Sequence, residues 1–274
     1  VDFPLVCWGN NDQGELGNGS TSDISTVPVE TNITGLVAEF SVGEGTSCAI
    51  VNESQLYCWG ENDHGQIGTL PGDPDDDGYL PHSSNPVLVQ FAAQSSEPNA
   101  SVPIEVEIPA GFAGIPTNTL SAGGDGACAI TTGTSVDESQ TYCWGGNGDG
   151  QLGNGMSLVS VETGWHHSCG INSTGSVYCW GYNDKGQLGV PGDGPDAVDY
   201  SQTPMLVDLD QPAISLGLGR DFSCAVTFDN QAGHNYGEEI GSSRVYCWGG
   251  DEYADCVDLN YCGVPLWISD EISG

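Results

Sequence analysis

The sequence predicts an all-β repeat protein, and the stretch 164–189 shows the unit from which it is built. In this stretch Cys169 and Cys179 bracket a polar turn around Thr174, with residues typical of β-strands on either side. A hairpin centred on the turn places the two cysteines directly opposite each other, with Cα atoms about 4.5–5.5 Å apart, which a disulfide tolerates. The stretch therefore predicts a β-hairpin closed by a cross-strand disulfide.

The same unit recurs along the chain, as expected of a repeat architecture. The triplet Cys-Trp-Gly begins at residues 7, 58, 143, 179 and 247. Glycine-rich turns with a shared Asn follow the first four triplets, at 9–17, 60–68, 145–153 and 181–189. A glycine also stands five residues before the first cysteine of each hairpin, at Gly43, Gly123, Gly164 and Gly219. Glycine at one fixed offset predicts either a positive φ or the close approach of another backbone.

These repeats resemble those of the regulator of chromosome condensation family. The shared pattern is Gly-x4-Cys-Ala, a turn, then Tyr-Cys-Trp-Gly-x-Asn-x-x-Gly-Gln-Leu-Gly, and the cysteine-containing form is similar to that of secreted members. The resemblance covers nearly all of 1–274 as five units, the last of which departs from the pattern after Trp248. It implies a single-domain β-propeller, or an open arc of one, made of four-stranded blades.

Insertions enlarge several units. They occupy 69–84, 91–118, 190–202 and 229–243, and the second contains a further strand candidate at 104–108. The third unit lacks the Pro-led strand found in the others, so its blade is expected to be one strand short.

The eleven cysteines predict a disulfide framework and an oxidising, extracellular or cell-surface location. Opposed positions across polar turns predict the pairs Cys48–Cys58, Cys128–Cys143, Cys169–Cys179 and Cys224–Cys247. Cys256 and Cys262 are expected to form a small local disulfide, which leaves Cys7 unpaired or bonded to another molecule. Metal binding is the alternative for these cysteines, but no Cys-x-x-Cys motif occurs.

The formal net charge of −35 comes from a shortage of cations, since Lys185, Arg220 and Arg244 are the only three. Nucleic-acid binding requires clustered cations, so it is not expected, and the roles of nuclear family members are not carried over. No apolar run approaches the roughly 18 residues that a membrane helix needs. Candidate N-glycosylation sequons, each also explicable by chance, lie at Asn18, Asn32, Asn52, Asn99 and Asn172.

Two acidic inserts are candidate calcium sites. Asp73, Asp75 and Asp77 alternate before Gly78 as in the first half of an EF-hand loop, although Ser84 stands where the last acidic ligand is expected. A possible second site, in the equivalent insert of the fourth unit, comprises Asp193, Asp196 and Asp199. The alternative for both is a solvated acidic loop.

Histidine and tryptophan offer few further sites. His167 stands where the family often has a structural His, and a zinc site with His166 would need Cys169 free of its predicted disulfide. The tryptophans of the five triplets recur with the blade and are expected to be packing residues, whereas Trp165 and Trp267 fall outside that register and are better candidates for exposed contacts. No Ser-His-Asp order or nucleophile elbow is present, which indicates a non-enzymatic protein.

These features predict an extracellular structural or adhesive module that binds copies of itself and forms filaments through open propeller ends. The sequence 264–274 matches the segment from Val27 onward, and 1–7 matches the segment that ends at Cys58. We therefore expect strands at 3–7 and near 264–269 to be engaged by protein outside these residues, either the remainder of a longer repeat protein or a neighbouring copy of the chain. The alternative function is a soluble secreted binding or inhibitor protein that uses the loops of one propeller face.

Overall fold

The computed structural model confirms an all-β fold. It describes residues 4–22, 24–52, 55–68, 82–88, 120–131, 140–153, 158–191, 198–228, 243–250 and 266–267. In these ranges the chain forms seventeen strands in five antiparallel sheets, which follow one another in chain order and which we call blades 1 to 5. No helix long and apolar enough to cross a bilayer occurs in the described ranges.

Blades 1 and 3 have fewer described strands than the others. Blade 1 contains β1 (Val6–Asn10) and β2 (Ile24–Glu30). Blade 3 contains β7 (Leu120–Ala122), β8 (Gly126–Thr131) and β9 (Gln140–Gly145), consistent with the Pro-led strand missing from its sequence.

Blades 2, 4 and 5 each have four described strands. Blade 2 contains β3 (Val37–Val42), β4 (Thr46–Val51), β5 (Gln55–Gly60) and β6 (Ser83–Leu88). Blade 4 contains β10 (Ser160–Thr163), β11 (His167–Ile171), β12 (Val177–Tyr182) and β13 (Tyr200–Leu206). Blade 5 contains β14 (Ala213–Leu218), β15 (Phe222–Phe228), β16 (Ser243–Gly249) and β17 (Leu266–Trp267).

The stapled hairpins are confirmed. Cys169 lies opposite Cys179 and Ile171 opposite Val177, in the predicted register. All four predicted hairpin pairs are disulfide-bonded, with Cα atoms 4.1 Å apart in each. Cys7 carries a free thiol in β1, and Cys256 and Cys262 lie outside the described residues.

Each blade has two distinct faces. In blades 2 to 5 the cystine face carries the disulfide and the tryptophan face carries the Trp of the triplet, because successive side chains of a strand point to opposite sides. In blade 1 the free Cys7 stands in place of the disulfide. The cystine face of one blade packs on the tryptophan face of the next, so that Cys48 and Cys58 share a core cluster with Trp144, and Cys169 and Cys179 share one with Trp248. The hydrophobic core therefore lies between the sheets.

A repeated hydrogen bond locks consecutive blades together. The indole N–H groups of the triplet tryptophans donate to a backbone carbonyl in the preceding blade's turn, over 2.8–2.9 Å. The donor and acceptor residues are Trp59 and Glu15, Trp144 and Gln66, Trp180 and Gln151, and Trp248 and Gln187. These four tryptophans are 0–3% exposed, which confirms their packing role.

The packing prediction is wrong for Trp8, which is 63% exposed. It occupies the same position of the repeat, but in the described structure no earlier turn lies against the tryptophan face of blade 1. Its indole therefore has neither the carbonyl acceptor nor the apolar neighbours that bury the other four.

The glycine-rich turn is held by its shared Asn. The Asn62 side-chain oxygen accepts a hydrogen bond from the Ile67 N–H, and Asn11, Asn147 and Asn183 make the same bond to the residue five positions later. The glycines of this turn have positive φ, for example 102° at Gly60, a conformation that disfavours residues with a Cβ.

Candidate binding surface at the propeller axis

The first strands of blades 2 to 5 lie side by side around the propeller axis. The Ser41 hydroxyl on β3 accepts the Ala122 N–H of β7 over 3.0 Å, and the Ser121 hydroxyl accepts the Thr163 N–H of β10 over 2.9 Å. Strand β10 in turn contacts β14. These bonds join neighbouring blades at their inner edges, which brings the four turns after these strands close together.

The convergence of these turns is possible because each contains a glycine five residues before the first cysteine of its hairpin. We call these four residues the offset glycines: Gly43, Gly123, Gly164 and Gly219. A Cβ on Gly43 would overlap the Gly123 carbonyl, one on Gly123 would overlap the Gly164 carbonyl, and one on Gly164 would crowd the Gly219 carbonyl. None of the four has a positive φ. Of the two sequence-based explanations for these glycines, close backbone approach is therefore the one that the structure supports.

The four turns line an axial cavity of about 300 Å³ that is open to solvent. It is lined by three residues from each of four blades, namely 42–44, 122–124, 163–165 and 218–220. Most of the lining is backbone or small side chain, and the larger groups are Val42, Glu44, Trp165, Leu218 and Arg220. A cavity of this volume lies at the lower end of the range for small ligands.

Trp165 and Arg220 form the most distinctive wall of this cavity. The guanidinium carbon of Arg220 lies 3.7 Å from the centroid of the Trp165 ring, a cation–π contact between blades 4 and 5. The ring of His166 also stacks on Trp165, with centroids 4.4 Å apart. The Arg220 side chain is 59% exposed, and its Nε is 3.6 Å from Asp221 Oδ2.

Beside the cavity, Asp125 lies between two histidines of neighbouring blades. Its carboxylate oxygens are 2.8 Å from Nδ1 of His166 and 3.6 Å from Nδ1 of His64. The hydrogen bond to Asp125 raises the pKa of His166, the carboxylates of Asp149 and Asp221 raise it further, and partial burial of the ring opposes them. Blade 3 is thus linked electrostatically to the turns of blades 2 and 4.

The surface around the cavity is acidic. Glu44 lines it, and Asp125, Asp149 and Asp221 are close enough to influence His166. Burial raises the pKa of Glu61, and repulsion from the carboxylates of Asp63 and Asp125 adds to the effect. Arg220 is therefore a cation among several anionic groups.

His167 has a structural role, as predicted. It is 1% exposed, and its Nε2 lies 2.9 Å from the Ser223 hydroxyl of blade 5. Desolvation, with a smaller contribution from His166, lowers the pKa of His167 to about 3. The buried ring is neutral at physiological pH, and the zinc arrangement with Cys169 is blocked because that cysteine is in a disulfide.

The candidate calcium residues Asp73, Asp75, Asp77, Asp193 and Asp196 lie outside the described residues. Asp199 is described: it is exposed, and its carbonyl accepts the Asn183 N–H. Among the residues that the structure describes, no three His, Cys, Asp or Glu side chains are grouped so as to hold a metal ion.

The glycosylation candidates differ in accessibility. Asn32 and Asn52 are exposed, and Asn18 and Asn172 are partly exposed. The Asn172 side-chain oxygen accepts backbone N–H groups within its own turn. Asn99 lies outside the described residues.

Of the two tryptophans outside the repeat register, Trp165 lines the axial cavity and Trp267 lies on β17 opposite Tyr246. The sequence-based reasoning missed Asp125, His64 and the role of Arg220. One signal was available: Glu44, Gly124, Trp165 and Arg220 each directly follow an offset glycine. Aligning the repeats at that glycine places these four variable residues around one axis.

The apolar faces at the two ends of the blade series are exposed. On the tryptophan face of blade 1, Trp8 is 63% and Ile24 is 65% exposed. On the cystine face of blade 5, Phe222 is 46% and Val245 is 40% exposed. At the position equivalent to Val245, Leu56 and Val177 are only 1–2% exposed, because another blade covers them.

Comparisons with known proteins agree with this architecture. The model of the regulator of chromosome condensation (RCC1) repeat matches residues 37–66, 158–187 and 174–226. The chain is 26% identical to the ultraviolet-B receptor UVR8 of Arabidopsis thaliana over 63% of its length, and 28% identical to the human probable E3 ubiquitin-protein ligase HERC6 over 58%. These matches span only 36% of UVR8 and 13% of HERC6.

Solved structures show the same fold. Human WBSCR16 superposes with a TM-score of 0.69 at 17% identity, over 99% of this chain and 68% of that one. Prp20p from Saccharomyces cerevisiae superposes with a TM-score of 0.54 at 16% identity, over 98% of this chain and 75% of Prp20p. Residues 37–66, 158–187 and 174–226 therefore match regulator of chromosome condensation repeats, and the blades around them have the fold of the solved structures that the chain resembles.

Proposed function

We propose that this protein is an extracellular, non-enzymatic binding module that associates with further copies of itself through its two terminal blade faces. One observation carries the proposal: the two kinds of face that bury each other between consecutive blades are both exposed at the ends of the blade series. Trp8 marks one end and Val245 the other, each at a position that is buried elsewhere in the repeat.

The two exposed faces are complementary in kind. From blade 2 to blade 5 the cystine face of each blade meets the tryptophan face of the next, and blade 5 presents a free cystine face while blade 1 presents a free tryptophan face. A head-to-tail contact between two copies would repeat the internal packing and remove both apolar patches from water. Such a heterologous contact generates a ring if its rotation closes and a filament if it does not.

Two features support an extracellular location. Four cross-strand disulfides are typical of proteins from oxidising compartments. Asn32 and Asn52 are exposed, and their sequons could carry N-linked glycans in a eukaryotic secretory pathway.

The relatives support a binding role more than an enzymatic one. Prp20p is described with its binding to Gsp1p and histones, and yeast RCC1 (Prp20) has been solved bound to Kap60. HERC6 and HERC5 are named as ligases, but the matched regions are only 13% and 9% of those proteins, so we do not extend that activity to this chain. The axial cavity favours a second candidate function, the binding of a separate partner through one propeller face.

Light scattering coupled to size-exclusion chromatography tests self-association. We expect the protein, of 28.5 kDa per chain, to form species that are multiples of this mass and grow with concentration. Val245→Asp and Trp8→Asp each place a charge on one terminal face and should yield monomers. Leu206→Asp is the matched control, since Leu206 is 59% exposed but lies on β13 of blade 4.

Mixing the two variants tests the head-to-tail geometry. Val245→Asp retains an intact blade 1 face and Trp8→Asp an intact blade 5 face, so an equimolar mixture should form a heterodimer that grows no further. A wild-type protein that stays monomeric at every concentration contradicts self-association. Wild-type assembly combined with a monomeric mixture contradicts the head-to-tail arrangement.

A further inference from the structure

We propose that the axial cavity binds a basic side chain, arginine or lysine, from a partner protein. The incoming cation would stack on Trp165 in the place that the guanidinium of Arg220 holds in the free protein. The site lies on the propeller axis, away from the terminal faces, and is independent of the self-association proposed above.

The lining of the cavity suits a side chain that has an apolar stem and a charged end. Much of its wall is backbone and small side chains, including the four offset glycines, and its volume is about 300 Å³. Val42, Ala122 and Leu218 provide apolar surface for a methylene stem, and Trp165 provides the aromatic ring for the charged head. Arginine and lysine are the side chains that combine such a stem with a cation.

The charge of the surroundings decides between a cationic and an anionic ligand. Glu44 lines the cavity, and Asp221 lies beside Arg220. Asp125 and Asp149 are not part of the lining but lie next to His166, which adjoins Trp165. The chain as a whole carries a formal charge of −35. This field draws cations toward the axis and repels carboxylates, even though Arg220 itself could pair with one.

Arg220 competes with the partner's basic side chain for the ring of Trp165. Its guanidinium already makes the cation–π contact with Trp165. Its side chain is 59% exposed, and its ion pair with Asp221 is 3.6 Å long, so its attachment to this site is weak. A partner cation can displace it into solvent, where Arg220 remains hydrated and Trp165 regains an equivalent contact.

The test uses a dye-labelled, capped peptide Gly-Arg-Gly-Arg-Gly and a twin in which citrulline replaces both arginines. Citrulline keeps the length and most of the hydrogen-bonding groups of arginine but is neutral. Fluorescence anisotropy at low ionic strength measures the binding of each peptide to the intact protein. We expect the arginine peptide to bind and its citrulline twin to bind at least about tenfold more weakly.

Arg220→Ala gives the decisive result. Removing an internal competitor raises the fraction of binding-competent protein, so this variant should bind the arginine peptide roughly threefold to tenfold more tightly than wild type. If Arg220 were instead a contact for an acidic partner, its removal would leave binding of the basic peptide unchanged. Weaker or unchanged binding by Arg220→Ala, or equal binding of the two peptides, therefore overturns the proposal.

Three further variants locate the site. Glu44→Gln changes an exposed residue and should weaken binding without affecting the fold. Trp165→Ala should abolish binding, and Trp165→Phe, which keeps a packed ring, should weaken it less. Trp8→Ala is the matched control for loss of an exposed indole, and loss of binding in that variant would contradict the assignment to the axis.

Discussion

The interface between blades 4 and 5 and the exposed faces of blades 1 and 5 are made from the same repeat positions. Val177 and Val245 each stand two residues before the second cysteine of a hairpin, yet Val177 is 1% and Val245 is 40% exposed. Trp248 and Trp8 differ in the same way, at 3% and 63%. The repeat therefore makes both faces of a blade apolar, and only the presence of a neighbouring blade determines whether a face is buried, as expected where each repeat contacts its neighbours alone.

The largest expected effect is on the free energy of unfolding, when a buried tryptophan of the repeat and its exposed equivalent are each replaced by alanine. Trp180→Ala removes a buried indole and its 2.8 Å hydrogen bond to the Gln151 carbonyl, and should lower the free energy of unfolding by about 3–5 kcal/mol. Trp8→Ala removes the same side chain from a solvent-exposed face and should change it by no more than about 0.5 kcal/mol. Denaturant unfolding in dilute solution, where self-association does not contribute, measures both values.

Similar losses in the two variants would contradict the conclusion that burial by a neighbouring blade is what distinguishes these equivalent positions. They would mean that Trp8 contributes to stability despite its exposure. A small loss in Trp180→Ala would instead mean that the repeated indole bond does not hold the blades together.

The features predicted correctly are local ones. The hairpin register around Cys169 and Cys179 follows from a short turn, and four disulfides follow from that register, because the interacting residues are 10–23 positions apart. The offset glycines were identified from spacing alone, although only the structure shows that they serve close backbone approach.

The features missed by sequence reasoning arise between blades. Asp125 and His166 belong to different units, and nothing in either unit alone indicates that they lie 2.8 Å apart. Likewise the stacking of Arg220 on Trp165 joins residues 55 positions apart in sequence (220 − 165 = 55), which a pattern within one repeat cannot reveal. The burial of Trp8 is mispredicted because the repeat position gives the type of side chain, whereas burial depends on a preceding blade, and the described residues place none there.

A smaller effect is expected where blades 3 and 4 meet at the axis. Because the hydrogen bond to Asp125 raises the pKa of folded His166, the ion pair contributes fully below the pKa of the unfolded chain, about 6.5. Its contribution is lost as pH rises through the higher folded pKa. We expect the wild type to lose about 0.5–1 kcal/mol relative to His166→Gln between pH 5.5 and 8.5.

Thermal unfolding of both proteins at several pH values measures this difference. His82→Gln is the control, because His82 is exposed. A pH dependence that is the same in wild type and His166→Gln would rule out a stabilising role for the Asp125 contact.

The smallest effect on the blades is expected from calcium, since its candidate ligands lie in insertions rather than in the repeated strands. Asp73, Asp75 and Asp77 supply alternating carboxylates before a glycine, but Ser84 replaces the final acidic ligand, so binding should be weak, at about 0.1–1 mM. Calorimetry should show heat on addition of millimolar calcium, and protease cleavage within 69–84 should slow. Asp75→Ala should abolish both effects while leaving the unfolding of the blades unchanged.

Asp199→Ala is the matched control, as it alters only the possible second calcium site, which it would form with Asp193 and Asp196. If Asp75→Ala retains the calorimetric signal, or if millimolar calcium produces none in the wild type, the first insertion is a solvated acidic loop and not a calcium site.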